Sequence, residues 1–392
     1  MNTQNTPVHI KLWHRGFWKI SIANFLLSMA SCVFLPTIPY WMIHTKGGDY
    51  IAVGFSFIAF AIGLFALGPF CSYLVQRYRR NMICIMSILG IVVCTCALYW
   101  LQQKNSESID FLLVYTLRFL FGAFFGLAQM VLNSTLINDV CESFLRTEAN
   151  HSTAWFSRMA LAIGPMTGLL LYNIYGIYGV IVLAIASCLI AYVLVASTEF
   201  PFRAPEECVK HFSLDRFILS RGMVLFANLM MINIGIGIIF SLSWPYSFYG
   251  FVMFGFLLAL LAQHFVFKNA DLRSEAISAL MAIIAATILL LTHEEDEIIN
   301  IVPWLIGFGI GVVGSRFLLF FIKLSRHCQR GTSQSTFILS WESGIALGVG
   351  LGYILASFDD MVLLLISLIL SVLSLALYHF YTHKWFMSHK NR

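Results

Sequence analysis

The chain has 392 residues, 59% of them apolar and 11% charged, with 24 Lys and Arg against 19 Asp and Glu. An ordinary soluble domain carries about 25% charged residues. A chain with a mean hydropathy of +0.82 could not cover itself with polar groups in water, so the composition excludes a soluble enzyme, a disordered protein and a secreted disulfide scaffold.

A helix needs about 20 apolar residues to cross roughly 30 Å of hydrocarbon. Twelve runs meet that length, at 17–42, 51–75, 82–101, 109–137, 152–175, 177–198, 218–242, 246–267, 274–293, 298–322, 333–357 and 360–382. Strands are excluded, because lipid admits only helices or closed barrels. The first run is too long for a cleavable signal peptide and closes in Pro36 and Pro39. Gly176 alone divides the fifth run from the sixth, and Trp244-Pro245 divides the seventh from the eighth.

Twelve crossings put both termini on one side. With the termini in the cytoplasm, nineteen basic residues between Lys11 and Arg392 lie inside, and only Lys46 and Lys104 lie outside. Cytoplasmic loops carry the excess of Lys and Arg. The outer 9–10 loop is then Glu294-Glu295-Asp296-Glu297, and the outer 11–12 loop carries Asp359-Asp360. Placed this way, the protein is expected in a bacterial inner membrane. The net charge of +5 follows from topology and gives no sign of nucleic-acid binding.

The polar stretch 199–217 reads as a cytoplasmic linker between an N-terminal six-helix bundle (1–198) and a C-terminal one (218–392). A shift of 184 residues lays span 5 on span 11: Arg146 on Arg330, Ala160 on Gly344, Gly164 on Gly348 and Gly168 on Gly352. Small residues at this spacing let helix backbones approach closely. Repeated bundles of this kind place a substrate site between the halves near mid-membrane.

Four motifs resemble the major facilitator superfamily over essentially the whole chain. Arg118-xxx-Gly122-xxx-Gly126 is similar to its Arg-and-Gly motif in span 4. Gly164-Pro165-Met166-Thr167-Gly168 resembles the Gly-Pro motif of its antiporter branch, and Leu35-Pro36-Thr37-Ile38-Pro39 the Pro-x-x-Pro of twelve-span drug:proton antiporters. Gln76-Arg77-Tyr78-Arg79-Arg80 resembles the family's Asp-Arg-x-Gly-Arg-Arg loop, with Gln76 in place of the acid and Arg79 in place of the glycine. The resemblance implies an all-α integral membrane protein with two pseudo-symmetric six-helix bundles. It also implies conformational roles for Arg77, Arg80, Gly164, Pro165 and Gly168.

Four charges remain inside the spans: Arg118, Arg158, Arg316 and Glu342. Each costs about 2.5–3.5 kcal/mol at a helix centre on the insertion scale, so they must face water, pair or hold a ligand. In span 4, Arg118, Gly122, Gly126, Gln129 and Asn133 share one helix face and predict a cavity lining. Asn24, Ser28 and Ser31 in span 1, Asn228 and Gly235 in span 7, and Gly307, Gly311 and Ser315 in span 10 form similar stripes. Arg118, Asn24, Gln129, Asn133 and Asn228 are therefore the expected substrate contacts.

Arg158 and Glu342 occupy matching repeat positions. With Arg316 they predict a gating or coupling cluster, in which Glu342 is the proton-titratable member and pairs with Arg158 or Arg316. A static salt bridge would account for the same residues. Three interior arginines against one glutamate favour an anionic or zwitterionic cargo.

No cofactor or metal is expected. His379 and His383 sit at the inner interface, and Gly307-x-Gly309-x-Gly311 lies inside an apolar span with no preceding strand. The expected function is secondary active transport by alternating access: a monomer exporting a small organic anion, zwitterion or drug-like compound, with a proton as coupling ion. An importer or exchanger of an anionic nutrient, or a receptor that no longer transports, would share the same features.

Overall fold

The computed structural model describes residues 11–103, 110–201, 206, 208–267, 270–293 and 300–390. Lys104, Arg203, Lys268, Arg392, part of the linker and the acidic 294–297 loop lie outside the described residues. Among the described residues, twelve long apolar helices cross the molecule: α1 (Arg15–Thr45), α2 (Tyr50–Arg77), α3 (Arg80–Gln103), α4 (Phe111–Val140), α5 (Arg146–Tyr175), α6 (Ile177–Ala196), α7 (Ser220–Ser241), α8 (Tyr246–Val266), α9 (Leu272–Thr292), α10 (Val302–Leu324), α11 (Arg330–Ile354) and α12 (Asp360–His389).

Several boundaries depart from the hydropathy reading, and three of them show a physical cause. α1 stays helical through Pro36 and Pro39 and closes in a π-helical turn at Trp41–Thr45. Proline deletes a backbone donor, and membrane helices tolerate this where nearby groups and local π turns take up the slack. Between the two prolines Thr37 Oγ1 adds a second donor to the Val33 carbonyl at 2.7 Å, while the carbonyls facing the missing donors are those of Cys32 and Leu35. α5 starts at Arg146 rather than 152, because its polar first turns are buried against protein: Asn150 and Thr153 are both buried. α12 likewise runs past 382 to His389 through a π turn at Tyr378–Thr382.

The two halves repeat one packing scheme. α5 lies on α1, where a Cβ at Gly164 would stand 2.7 Å from Cys32 Cβ and one at Gly168 would stand 2.8 Å from the Val33 carbonyl. α11 lies on α7 in the same way, with a Cβ at Gly348 only 2.3 Å from the Ile234 carbonyl. α2 and α4 meet through Gly63, Gly122 and Gly126, and α8 and α10 meet through Gly255 and Gly307.

The halves join through α2 on α11 and through α5 on α8 and α10. At the α2–α11 crossing a Cβ on Gly54 would meet the Gly350 carbonyl at 2.6 Å, and Tyr353 stacks on Tyr50 and Phe57. At the face carrying the chain ends, a Cβ on Gly331 would lie 2.7 Å from the Ser134 carbonyl.

The described part of the linker straps this same face. Ser213 N donates to the Pro69 carbonyl at 3.0 Å. Thr332 Oγ1 accepts from Arg216 N at 2.9 Å and donates to Asp215 Oδ1 at 2.9 Å. Leu219 N donates to Thr336 Oγ1 at 2.8 Å. Arg216 holds a left-handed φ of 58°, which a non-glycine residue keeps only where its surroundings fix it.

Candidate functional site

The polar residues of α1, α4 and α5 meet in one buried network. Asn24 Nδ2 donates to the Thr153 carbonyl at 3.1 Å, and Asn133 Nδ2 donates to Gln129 Oε1 at 2.7 Å and reaches Asn24 Oδ1 at 3.4 Å. Gln129 Nε2 donates to Ser28 Oγ at 3.0 Å, and Ser28 shares a 2.6 Å hydrogen bond with Ser157. Three of the expected contact residues (Asn24, Gln129 and Asn133) thus come together. Gly122 and Gly126, on the same predicted stripe, are instead pressed into the α2 backbone.

At the edge of this network lies a cavity of about 20 Å³ between the bundles. Asn133, Ser157 and Arg158 line it from one side, and Gln334, Trp341 and Glu342 from the other. A space of this size holds about one water molecule, so the halves are closed on each other here.

Arg158 is 2% exposed and ties the halves together. Its Nε donates to the Ala154 carbonyl at 3.0 Å within α5. Its Nη1 crosses to α10, donating to the Gly311 carbonyl at 2.7 Å and Ser315 Oγ at 2.8 Å. The guanidinium also covers the Trp155 ring at 4.1 Å. Gly314 leaves room for the arginine, since a Cβ there would lie 2.9 Å from its Cδ.

Glu342 shares the cavity with Arg158, yet among the described residues no ion pair joins Glu342 to Arg158 or Arg316. Arg316 pairs with Glu275 of α9. That carboxylate escapes a hydropathy reading because it sits three residues from the α9 start, where charge passes as loop. The surplus of interior arginine over acid was the signal that could have found it.

Arg118 has a different environment. It is 2% exposed, and its guanidinium carbon lies 4.8 Å from the Phe60 ring, 5.1 Å from Phe57 and 5.8 Å from Phe121. Its Nε and Nη1 are buried with no hydrogen-bond partner. Desolvated cation–π contacts return about 2 kcal/mol, against several kcal/mol for taking an ion out of water. The cage therefore leaves Arg118 short of partners, with donors unspent.

In the C-terminal half, Asn228 does not face the cavity. It bonds the Ser374 carbonyl at 3.2 Å and Thr382 Oγ1 at 3.4 Å, inside the α7–α12 contact. One and a half helical turns on, Asn233 is 1% exposed with both amide atoms unpartnered. Helical spacing yields stripes, but which stripe turns inward depends on neighbours that the sequence does not display.

At the face of the chain ends, Arg77 is exposed and Arg80 is held. Arg80 Nη1 donates to both oxygens of Asp139, at 2.8 and 2.6 Å. Asp139 thus supplies from the end of α4 an acid for the loop in which Gln76 stands. Gly164 and Gly168 are the close-approach points on α1, with Pro165 between them inside α5. Among the described residues, no three His, Cys, Asp or Glu side chains come together as metal ligands would.

The Major Facilitator Superfamily profile matches residues 20–349. The chain belongs to that superfamily. As a member it is a membrane-embedded secondary transporter of the alternating-access kind rather than an enzyme. No curated protein matches it in sequence. Among solved structures, a bacterial homologue of the iron transporter ferroportin, in an outward-facing state, is similar at 14% identity and a TM-score of 0.65, covering 95% of this chain and 99% of that one. The human organic anion transporter MFSD10 (TETRAN) is similar at 15% and 0.64, covering 93% and 98%. The nucleoside transporter NupG is similar at 13% and 0.64, covering 94% and 100%. Likeness at these identities shows a shared major facilitator fold across unlike cargoes.

Proposed function

We propose that this facilitator is a proton-driven exporter of small organic anions or zwitterions. It works as a monomer in a bacterial inner membrane with both termini in the cytoplasm, on the model of the drug:proton antiporters. The observation that carries the cargo class is Arg118: a buried cation with two unpartnered donors inside a cage of phenylalanine rings. A carboxylate or phosphate attached to an apolar body would satisfy both the donors and the rings. A cation there would meet like charge.

Arg158 and Glu342 supply the switch. Opening the seam toward the cytoplasm pulls Arg158 off Gly311 and Ser315, enlarges the cavity and wets Glu342. Closing it strips water from the carboxyl again. A group moved between those surroundings changes its hold on a proton, which couples the stroke to the proton gradient. Asn24, Gln129 and Asn133 line the path as neutral contacts, and Asn233 joins them from the other half.

Flux of a panel of organic anions in inverted and right-side-out vesicles tests this reading, with and without a collapsed pH gradient. Accumulation in inverted vesicles that vanishes with the gradient is the expected result. Indifference to gradient and orientation would refute proton-driven export, and transport of cations alone would refute the cargo class.

A further inference from the structure

A second cleft, of about 210 Å³, opens where the two bundles and the linker meet at the face of the chain ends. Arg80 of α3, Arg146 of α5, Arg216 of the linker and Arg330 of α11 line it, against only two acids, Asp139 and Asp215. Both acids are already engaged. Asp139 accepts twice from Arg80, while Asp215 accepts from Thr332 Oγ1 and stands 3.8 Å from Arg216 Nε. Arg146 Nε, Arg216 Nε and Ser134 Oγ are buried there without a hydrogen-bond partner. Burial, with the neighbouring Arg80 charge adding to it, holds the Arg216 guanidinium below its ordinary pKa, and Asp215 pulls the other way without cancelling this. The first turn of α11, at Arg330, Gly331 and Thr332, also borders the cleft. Free backbone donors at a helix start carry partial positive charge and favour anions.

We propose that this cleft is a binding site for a phosphate-bearing anion, separate from the transport path, that locks the bundles closed on their cytoplasmic side. The lining comes from α3, α4, α5, the linker and α11, so the site is complete only while the halves meet. A ligand that binds one state and not the other shifts the population toward it by its differential affinity. High occupancy therefore slows turnover by holding the carrier shut on that face. The phosphate can come from a soluble ester or from an anionic phospholipid headgroup at the membrane surface. The cytoplasmic placement rests on the orientation proposed above; the binding chemistry does not.

Cys328 lines the cleft and is exposed, while Cys208 is exposed and stands outside the lining. The test is the rate of maleimide alkylation at each, followed by peptide mass spectrometry on the full chain. In detergent, pyrophosphate is expected to slow Cys328 labelling at least fivefold relative to chloride of equal ionic strength, leaving Cys208 unchanged. In nanodiscs without pyrophosphate, protection that appears when phosphatidylglycerol replaces phosphatidylcholine assigns the site to a headgroup. Protection by pyrophosphate alone assigns it to a soluble ester. Arg146→Gln and Arg330→Gln should each abolish the protection. Equal Cys328 rates under all conditions would overturn the proposal, as would protection that survives both substitutions. Neither result needs transport, so the functional reading above stands or falls separately.

Discussion

The two halves share a packing scheme and differ in chemistry. In the N-terminal half Arg158 gives Nε to its own helix and Nη1 to Gly311 and Ser315 across the seam, with Nη2 buried and unpartnered, and Asn24, Gln129 and Asn133 close a hydrogen-bonded network. At the position matching Arg158 in the C-terminal half stands Glu342, without an ion pair among the described residues, and α7 carries Asn233, without amide partners. Glycines obey the repeat because close helix contacts demand them in both halves. The charges do not: an arginine in one half answers a glutamate in the other. Internal symmetry therefore marks what holds the bundles, and its breaks are where the proposed switch sits.

If the shared packing is as constraining as this suggests, Gly122→Leu and Gly307→Leu should be the most damaging changes. A Cβ would stand 2.3 Å from the Phe60 carbonyl in one and 2.2 Å from the Val252 carbonyl in the other. Overpacking costs about 1–3 kcal/mol or more per site, and both variants should lose the monodisperse peak in detergent. A tolerated Gly307→Leu would break the equivalence of the halves.

Arg118→Ala should come next. It ought to abolish anion flux, about 100-fold or more if a buried charge-assisted pair to the cargo is lost, while thermal stability stays the same or rises as an unsatisfied cation leaves. Unchanged flux would remove Arg118 from the cargo site. Glu275→Ala leaves the half-buried Arg316 without its partner. It should lower stability by about 3 kcal/mol, read as an earlier thermal transition, and adding Arg316→Met should recover much of the loss. The smallest effect on the fold belongs to Glu342→Gln, which conserves shape and removes only the titratable proton. Its transition should stay near that of the parent, and the dependence of flux on pH should flatten. A parental pH profile at normal rate would exclude Glu342 from coupling.

All twelve spans were legible in the sequence, because apolar length is a property of each segment by itself. The close-packing faces of α5 and α11 were legible too, through Gly164, Gly168, Gly348 and Gly352, but that α1 and α7 fill them shows only in the assembled bundle. Residues that need a partner to be understood were read less fully. The spacing of Asn228 suited a lining role, but its bonds to Ser374 and Thr382 turn it toward α12. Glu275, at the edge of the 274–293 run, was not counted among the interior charges, and its role shows only with Arg316 beside it. Asp139 gained meaning only when Arg80 reached it from another helix. Periodicity gives a helix its faces; the direction of each face comes from the assembled bundle.

The crossing of Gly54 with Gly350 carries one more consequence. Main chain there rests on main chain, with a Cβ on either residue falling 2.6 or 3.0 Å from the other's carbonyl. Side chains close around that contact: Ile354 and Ile58 abut the two glycines, and Tyr353 stacks on Tyr50 and Phe57. A roll of the halves about this point keeps the backbones in touch while these flanking groups slide, so the effort of each stroke falls on them and on the clasps at either rim, where guests and ions exert their leverage.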